Sequence, residues 1–525
     1  MPIETRRGEP TPPIAFGPAG GPVPVAGSLA RRLRGVAVEV PTAVADRLAG
    51  ACSIDTADAH LDEASRDWWP LALGWSMAAQ VPARPALIAR PASTAEVAAV
   101  LRICNEAVVP VTPAGGRSGV CGASIPVFGG VALDLTAMSG IVDVDDASLL
   151  VRVRPGTFGD VFEDELRAAY GLSLGHWPQS MALSTVGGWL ACRSAGQYST
   201  RYGKIEDMVA GLEVVLADGT TVVTGSRAPR AAVGPDLTQL FVGSEGTLGV
   251  VTGATLRVHP LPSAEERMAC GFTTFTDGLD ACRRILRRGA TPAVLRLYDR
   301  TETARTFKVD TNALVVLDEG DAADVSTTMG VVRAECAATP GAVELADDLV
   351  EQWMGHRNDV SALPGLIARG VVLDTVEVAA RWSVLDRLYD DALRALRCLD
   401  GMIAASAHQS HAYPDGACLY FTWASLLPDG AAVGGPEADT VYRRAWDAVT
   451  AATLDLGGAL SHHHGVGLNR SRYVERAIGA EAAGVLRTLK AALDPRGILN
   501  PGKLGLPSPW GDAPWGPDAG TGGEP

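Results

Sequence analysis

The chain has 525 residues with 45 Lys+Arg against 60 Asp+Glu, a net charge of −15 that argues against a nucleic-acid backbone as partner. Nine cysteines without a CxxC pair argue against a disulfide framework and fit a reducing compartment. At 47% hydrophobic residues there is material for two buried cores, yet no apolar run reaches membrane-spanning length.

Residues 1–28 are dense in Gly and Pro and lack the apolar h-region of a secretion signal, so a disordered tail is expected there, followed by a helical segment over 29–81. From Pro85 the chain reads strand, helix, strand. "ALIAR" is the first strand; Ser93 with Glu96 forms a capping box for the helix; "VVPVTPA" then runs into "GGRSGVCGAS". Next come the strands "GGVALDL", "GIVDVD" and "LLVRVRP", the helix "FGDVFEDELRAAYG", and a hairpin about Asp218-Gly219. Residues 82–262 thus form an α/β unit. Beyond Pro260 and Pro262, helices such as "SVLDRLYDDALRALRCLDG" alternate with strands such as "GACLYFTWASL", giving a second, α+β domain over 263–505. Its last helix stops at Asp494-Pro495, and the Gly/Pro-rich stretch 506–525 is expected to be a second disordered tail.

Three loops in the α/β unit carry the first chemical signal. In "PAGGRSG", Pro113 to Gly119, bare glycine backbone lets consecutive amides form an anion-binding nest, although the same residues suit a plain tight turn and match neither a Walker loop nor a full GxGxxG. A second loop crowds Ser184, Thr185, Gly187 and Gly188 together, with Arg193 and Ser194 as donors suited to phosphate. In the third, Gly243, Gly246 and Gly249 punctuate an apolar stretch. Each alone is compatible with structure only. Three in one domain imply a long anionic ligand touched at several points, such as a dinucleotide.

Taken together, "STVGGW", "YGKIEDMV", "GSEGTLGVVT" and "DPRGILNPGKL" resemble the FAD-binding flavoproteins of the vanillyl-alcohol-oxidase/PCMH superfamily over roughly residues 82–504. The resemblance implies FAD laid across two α/β subdomains under a C-terminal FAD-linked-oxidase cap. Its contacts would be Pro113, Ala114, Gly115, Gly116, Arg117, Ser118 and Gly119; Gln179, Ser180, Ser184, Thr185 and Gly188; Cys192, Arg193, Ser194 and Ala195; and Gly243, Ser244, Glu245, Gly246, Thr247, Leu248 and Gly249. Superfamily members with covalent FAD usually have a histidine in the first loop, about where this sequence has Arg117, so noncovalent FAD is expected.

Within the superfamily, "DGACLYF", "GGALSHHHGVG" and "VLRLYD" resemble the alkyldihydroxyacetonephosphate synthases. That likeness implies Tyr420 as proton donor and acceptor, His462, His463 and His464 lining the same site, and Arg296 as important for activity. Read from the residues alone, the triple histidine suits a turn, a metal or catalysis. In an extended segment His462 and His464 would share one face, with His463 on the other. Tyr420, with an intrinsic pKa near 10, needs a cationic neighbourhood to act as a base, which the histidines and Arg296 are expected to provide. The related D-lactate dehydrogenases hold a metal through a glutamate where His463 stands here and a histidine about where Tyr420 stands; His408 and His411 add imidazoles, but no metal is expected. Leu363 falls where the ether-lipid enzymes carry a substrate-binding arginine, with Arg357 and Arg369 nearby but off register.

The expected activity is therefore FAD-dependent oxidation of a small polar molecule. Hydride passes to flavin N5, Tyr420 and His462–His464 handle the proton, and Arg296 orients the substrate. The alternatives are redox-neutral ether-bond formation through a flavin adduct and flavin binding without turnover. The electron acceptor is left open, and a homodimer is expected from the family. The Ala/Gly/Arg/Pro-rich composition suggests a bacterial, cytoplasmic protein.

Overall fold

The computed structural model describes residues 29–225, 228–358 and 363–515, with backbone only at 363 and 364. The expected tail 1–28 lies outside the described residues.

The α/β unit holds two sheets. In the first, the strands run in the order Ser53–Asp55, Leu87–Arg90, Val131–Asp134, Val111–Ala114, the last three mutually parallel. The helix Thr94–Ala107 makes the crossover and buries Val97, Leu101 and Cys104 against them. Ser93 Oγ accepts from Glu96 N at 3.3 Å, while the Glu96 carboxylate reaches Ala92 N at 2.8 Å, so the capping box closes one residue upstream of its usual point. At the carboxyl end of Val111–Ala114 the chain enters the first Gly loop, as ligand-binding crevices of parallel sheets require. A Cβ at Gly115 would lie 2.2 Å from Thr185 Oγ1, and one at Gly116 2.0 Å from Leu183 O, so only glycine lets the first and second loops touch.

The second sheet is antiparallel, ordered Thr221–Val223, Val209–Val215, Val250–Arg257, Leu150–Val153, Ile141–Asp145. The hairpin turns at Asp218-Gly219 with Gly219 at φ 84°, the left-handed conformation that glycine tolerates. The cap is a seven-stranded sheet in the order Val343–Leu345, Ala264–Phe272, Asn312–Gly320, Val294–Tyr298, Met402–Tyr413, Gly416–Leu426, Val371–Arg381. Helices Phe275–Arg287, Trp382–Arg397 and Pro436–Asp455 pack on one face; the other looks toward the α/β unit.

Two expectations change. The segment 29–81 is not simply helical: its strand Ser53–Asp55 completes the first sheet, and its helix Pro70–Met77 docks on the cap. There Trp69 Nε1 donates to Tyr442 Oη at 2.8 Å and Trp75 Nε1 to Asp439 Oδ1 at 2.9 Å. The stretch 506–515 is packed, not loose. Trp515 is buried edge-on against Trp69, ring centroids 5.3 Å apart, because two indoles in a Pro-rich segment bury enough apolar surface to anchor it. Among the described residues no helix is long and apolar enough to cross a membrane.

Candidate active site

The three Gly loops and the inner face of the cap sheet enclose a cavity of about 650 Å³. All of Pro113–Gly119 line it, with Gln179, Ser180, Ser184, Thr185, Gly188, Cys192, Ser194, Ala195, Ser244, Glu245, Gly246 and Gly249. Four expected contacts do not. The Arg193 guanidinium turns outward to Glu206 at 3.1 Å, and Gly243 packs under the Arg193 stem. Thr247 Oγ1 donates to Ser244 O at 2.7 Å, and Leu248 belongs to the apolar core.

This cavity fits an extended polar cofactor such as FAD. The amides of Gly115 to Gly119 donate to no protein acceptor among the described residues, leaving a run of free donors. Arg117 Nε and Nη2, Ser124 Oγ and Gln197 Oε1, all on lining residues, are likewise buried without a partner.

The opposite wall is set by strand register. Tyr298, His408, Tyr420 and Glu377 stand directly opposite one another across four neighbouring strands, so their side chains share one face. Tyr298 stacks on His408, and His408 on Tyr420, each pair with centroids 5.0 Å apart. Arg296 Nη2 donates to His408 Nε2 at 2.8 Å, so His408 Nδ1 carries the proton that it gives to Glu302 at 2.7 Å. Burial drives the His408 pKa down despite Glu302, with Arg296 adding to the fall.

The histidine segment meets this face from the side. It is a bend, not a strand, because Glu377 gathers it: the carboxylate accepts from Ser461 Oγ at 2.7 Å, from His464 N at 2.9 Å and from His462 N. Neighbouring rings therefore turn to one side, and the alternation expected of an extended segment does not hold. His463 and His464 line the cavity, whereas His462 stacks on Tyr413 behind it. Tyr420 Oη lies 2.7 Å from His464 Nε2. The histidines do not supply the expected cationic neighbourhood for Tyr420, and Arg296 reaches its ring only through His408. Burial pushes His462 and His463 down to about 3 and His464 to about 4, so all three are neutral at pH 7. Burial, reinforced by Glu377, pushes the Tyr420 phenol up.

Glu377 is the main residue that the sequence reading missed. Burial alone would raise its pKa, but the buried Arg470 guanidinium, 3.1 Å away, and the neighbouring imidazoles hold it well below the carboxylate range. An acid inside the short apolar run "VEVAA", Val376 to Ala380, was the available signal. The ligand atoms of His411, Cys418, His462 and His463 lie within 4.8 Å of one another, a grouping suited to a soft or borderline metal. As arranged, however, His462 Nδ1 and His463 Nδ1 are hydrogen-bonded to each other at 2.9 Å.

Comparison with known proteins agrees with this architecture. Residues 85–225 match the FAD binding domain family, and residues 261–504 match the C-terminal domain of FAD linked oxidases. The FAD-linked oxidoreductase YgcU of Escherichia coli K12 is 31% identical over 435 residues, covering 80% of this chain and 89% of that protein. The glycolate oxidase subunit GlcD of Bacillus subtilis is 29% identical over 440 residues, 81% and 90% of the two chains. A solved alkyldihydroxyacetonephosphate synthase superposes with a TM-score of 0.75 at 25% identity, covering 94% of this chain and 90% of that one. The chain belongs to the FAD-linked oxidases of the PCMH-type flavoprotein superfamily.

Proposed function

We propose that the protein oxidises a small polar molecule by removing a hydride from a C–H bond next to an oxygen or nitrogen, and that it holds FAD without a covalent bond. The observation that carries this reading is the 2.7 Å contact between Tyr420 Oη and His464 Nε2 in the wall opposite the Gly loops. When bound along those loops, FAD supplies the hydride acceptor at its N5 position.

The protein's own groups manage the proton. Tyr420 is a neutral phenol that hydrogen-bonds to a neutral imidazole. It takes the proton of a substrate hydroxyl or amine as its own passes to His464 Nε2. The imidazolium so formed lies 3.8 Å from the Glu377 carboxylate, which offsets its charge in a buried site. Arg296, fixed by His408 and Glu302, polarises and orients the substrate. Noncovalent attachment is supported by Arg117, whose guanidinium leans toward Asp134 at 3.5 Å and is no nucleophile. Likeness to a glycolate oxidase subunit supports a hydroxyl-bearing substrate.

A second reading, redox-neutral ether formation, is favoured by the fold shared with alkyldihydroxyacetonephosphate synthase. Anaerobic absorption spectra separate the two. Loss of the flavin band near roughly 450 nm on adding a 2-hydroxy acid or alcohol supports oxidation. Bleaching only by acyl-dihydroxyacetone phosphate, reversed by a fatty alcohol, supports ether formation and ends the first reading.

A further inference from the structure

Trp515 lies beyond residue 504, where the match to the FAD linked oxidases stops, yet it is only 4% exposed. Its ring meets Trp69 and Trp75 edge-on, centroids 5.3 and 5.9 Å away, and the Arg443 guanidinium covers it at 3.7 Å. So held, the indole aims its one polar atom inward: Nε1 donates to Asn469 Oδ1 at 3.2 Å. Asn469 is fully buried and stands just after the turn that carries the histidines.

From Asn469 the contacts run on to the wall of the active site. Asn469 Nδ2 donates to Tyr442 Oη at 3.4 Å, Trp69 Nε1 donates to the same oxygen at 2.8 Å, and Tyr442 gives its own proton to Asp374. The phenol thereby uses its one donor and both acceptor positions, so breaking any of these bonds leaves a buried polar group unpaired. Trp446 Nε1 donates to the same Asp374 carboxylate at 3.0 Å. Asp374 belongs to the strand Val371–Arg381, and alternation puts it on the face behind Thr375 and Glu377. On the front face Thr375 hydrogen-bonds to Tyr420, and Glu377 gathers the histidine bend. A second route is shorter. Arg470, next to Asn469 in the chain, bridges Leu460 O at 2.7 Å and the Glu377 carboxylate at 3.1 Å. Both routes end on the strand that backs Tyr420 and His464.

We infer that Trp515 is a positioning residue: through Asn469 it fixes the strand Val371–Arg381 and the histidine turn, and so the Tyr420–His464 pair. The inference deepens the oxidoreductase reading and rests on it only for the effect on turnover. Trp75 marks the contrast. It packs in the same aromatic cluster, but its Nε1 donates to Asp439 Oδ1 at 2.9 Å, off the path to Asp374.

The test uses the FAD-loaded whole chain and hydrogen–deuterium exchange, which needs no turnover. Trp515→Phe keeps an aromatic ring in place and removes the N–H. It is expected to speed amide exchange by at least about fivefold in residues 371–381 and 461–470. Trp75→Phe, which removes an equivalent bond from the same cluster, leaves both segments within about twofold of wild type. Where a hydroxy compound reduces the flavin, Trp515→Phe lowers kcat about tenfold while KM holds, because the proton-handling groups shift and the binding groups do not. Asn469→Ala supplies the same reading if Trp515→Phe fails to load FAD. Unchanged exchange in both segments, or equal loosening by Trp75→Phe, overturns the inference. Faster exchange in a protein whose flavin is never reduced keeps the positioning role while losing the oxidoreductase reading.

Discussion

The Glu245 carboxylate, in the third Gly loop, accepts the amide of Gly467 at 2.8 Å and that of Val466 at 2.6 Å, across a sequence separation of more than 220 residues. This link ties the loop expected to touch FAD to the turn that carries the histidines. Gly467, at φ 53°, needs its glycine: a Cβ there would lie 2.2 Å from Cys121 O.

Removing that carboxylate unties the two domains at the site. Glu245→Ala leaves the buried Gly467 amide and the part-buried Val466 amide unsatisfied and is expected to cost about 2–4 kcal/mol of stability in chemical denaturation. Glu245→Gln, which keeps one acceptor, costs less.

Tyr420→Phe removes the proton station without a cavity. A fall in kcat of about 10²–10³-fold at unchanged FAD content is expected, and His464→Gln falls in the same range. His462→Gln, whose ring stands behind the cavity wall, keeps kcat within about tenfold of wild type. Equal losses at His462 and His464 would refute this assignment.

Acid sensitivity follows from the same cluster. Burial lowers His464 from its ordinary 6.5 to about 4, and His462 and His463 to about 3. Between these values and 6.5 the unfolded chain binds more protons than the folded one. The stability contributed by the neutral rings is thus fully present above pH 6.5 and is lost progressively as pH falls toward 4. Thermal melts between those pH limits check this, and His463→Gln flattens the slope.

Acid precipitation checks the cofactor linkage. Trichloroacetic acid treatment is expected to leave all flavin in the supernatant, since Arg117 stands about where a covalent histidine would be. Yellow colour retained in the pellet contradicts noncovalent binding.

Chelation tests the imidazole–thiol cluster. With His462 Nδ1 bonded to His463 Nδ1, dialysis against a strong chelator is expected to leave turnover unchanged and elemental analysis to find no stoichiometric metal. Activity lost on chelation and restored by a divalent ion reverses this expectation.

The sequence by itself determined the strand–helix–strand entry, the Asp218-Gly219 hairpin and the three Gly loops. These are legible because glycine punctuation, capping residues and alternation act locally, over a few residues. Only the tertiary structure decided that Arg193 points outward, that His462 stands behind its neighbours and that the histidines are neutral. The first depends on a partner 13 residues away, the second on Glu377 bending the backbone 85 residues downstream, and the third on burial beneath the other domain. Glu377, Tyr420, His408 and Tyr298 became one row because the hairpin of Met402–Tyr413 and Gly416–Leu426 is flanked by two strands from earlier in the chain in matching register, and no local pattern encodes that flanking alignment.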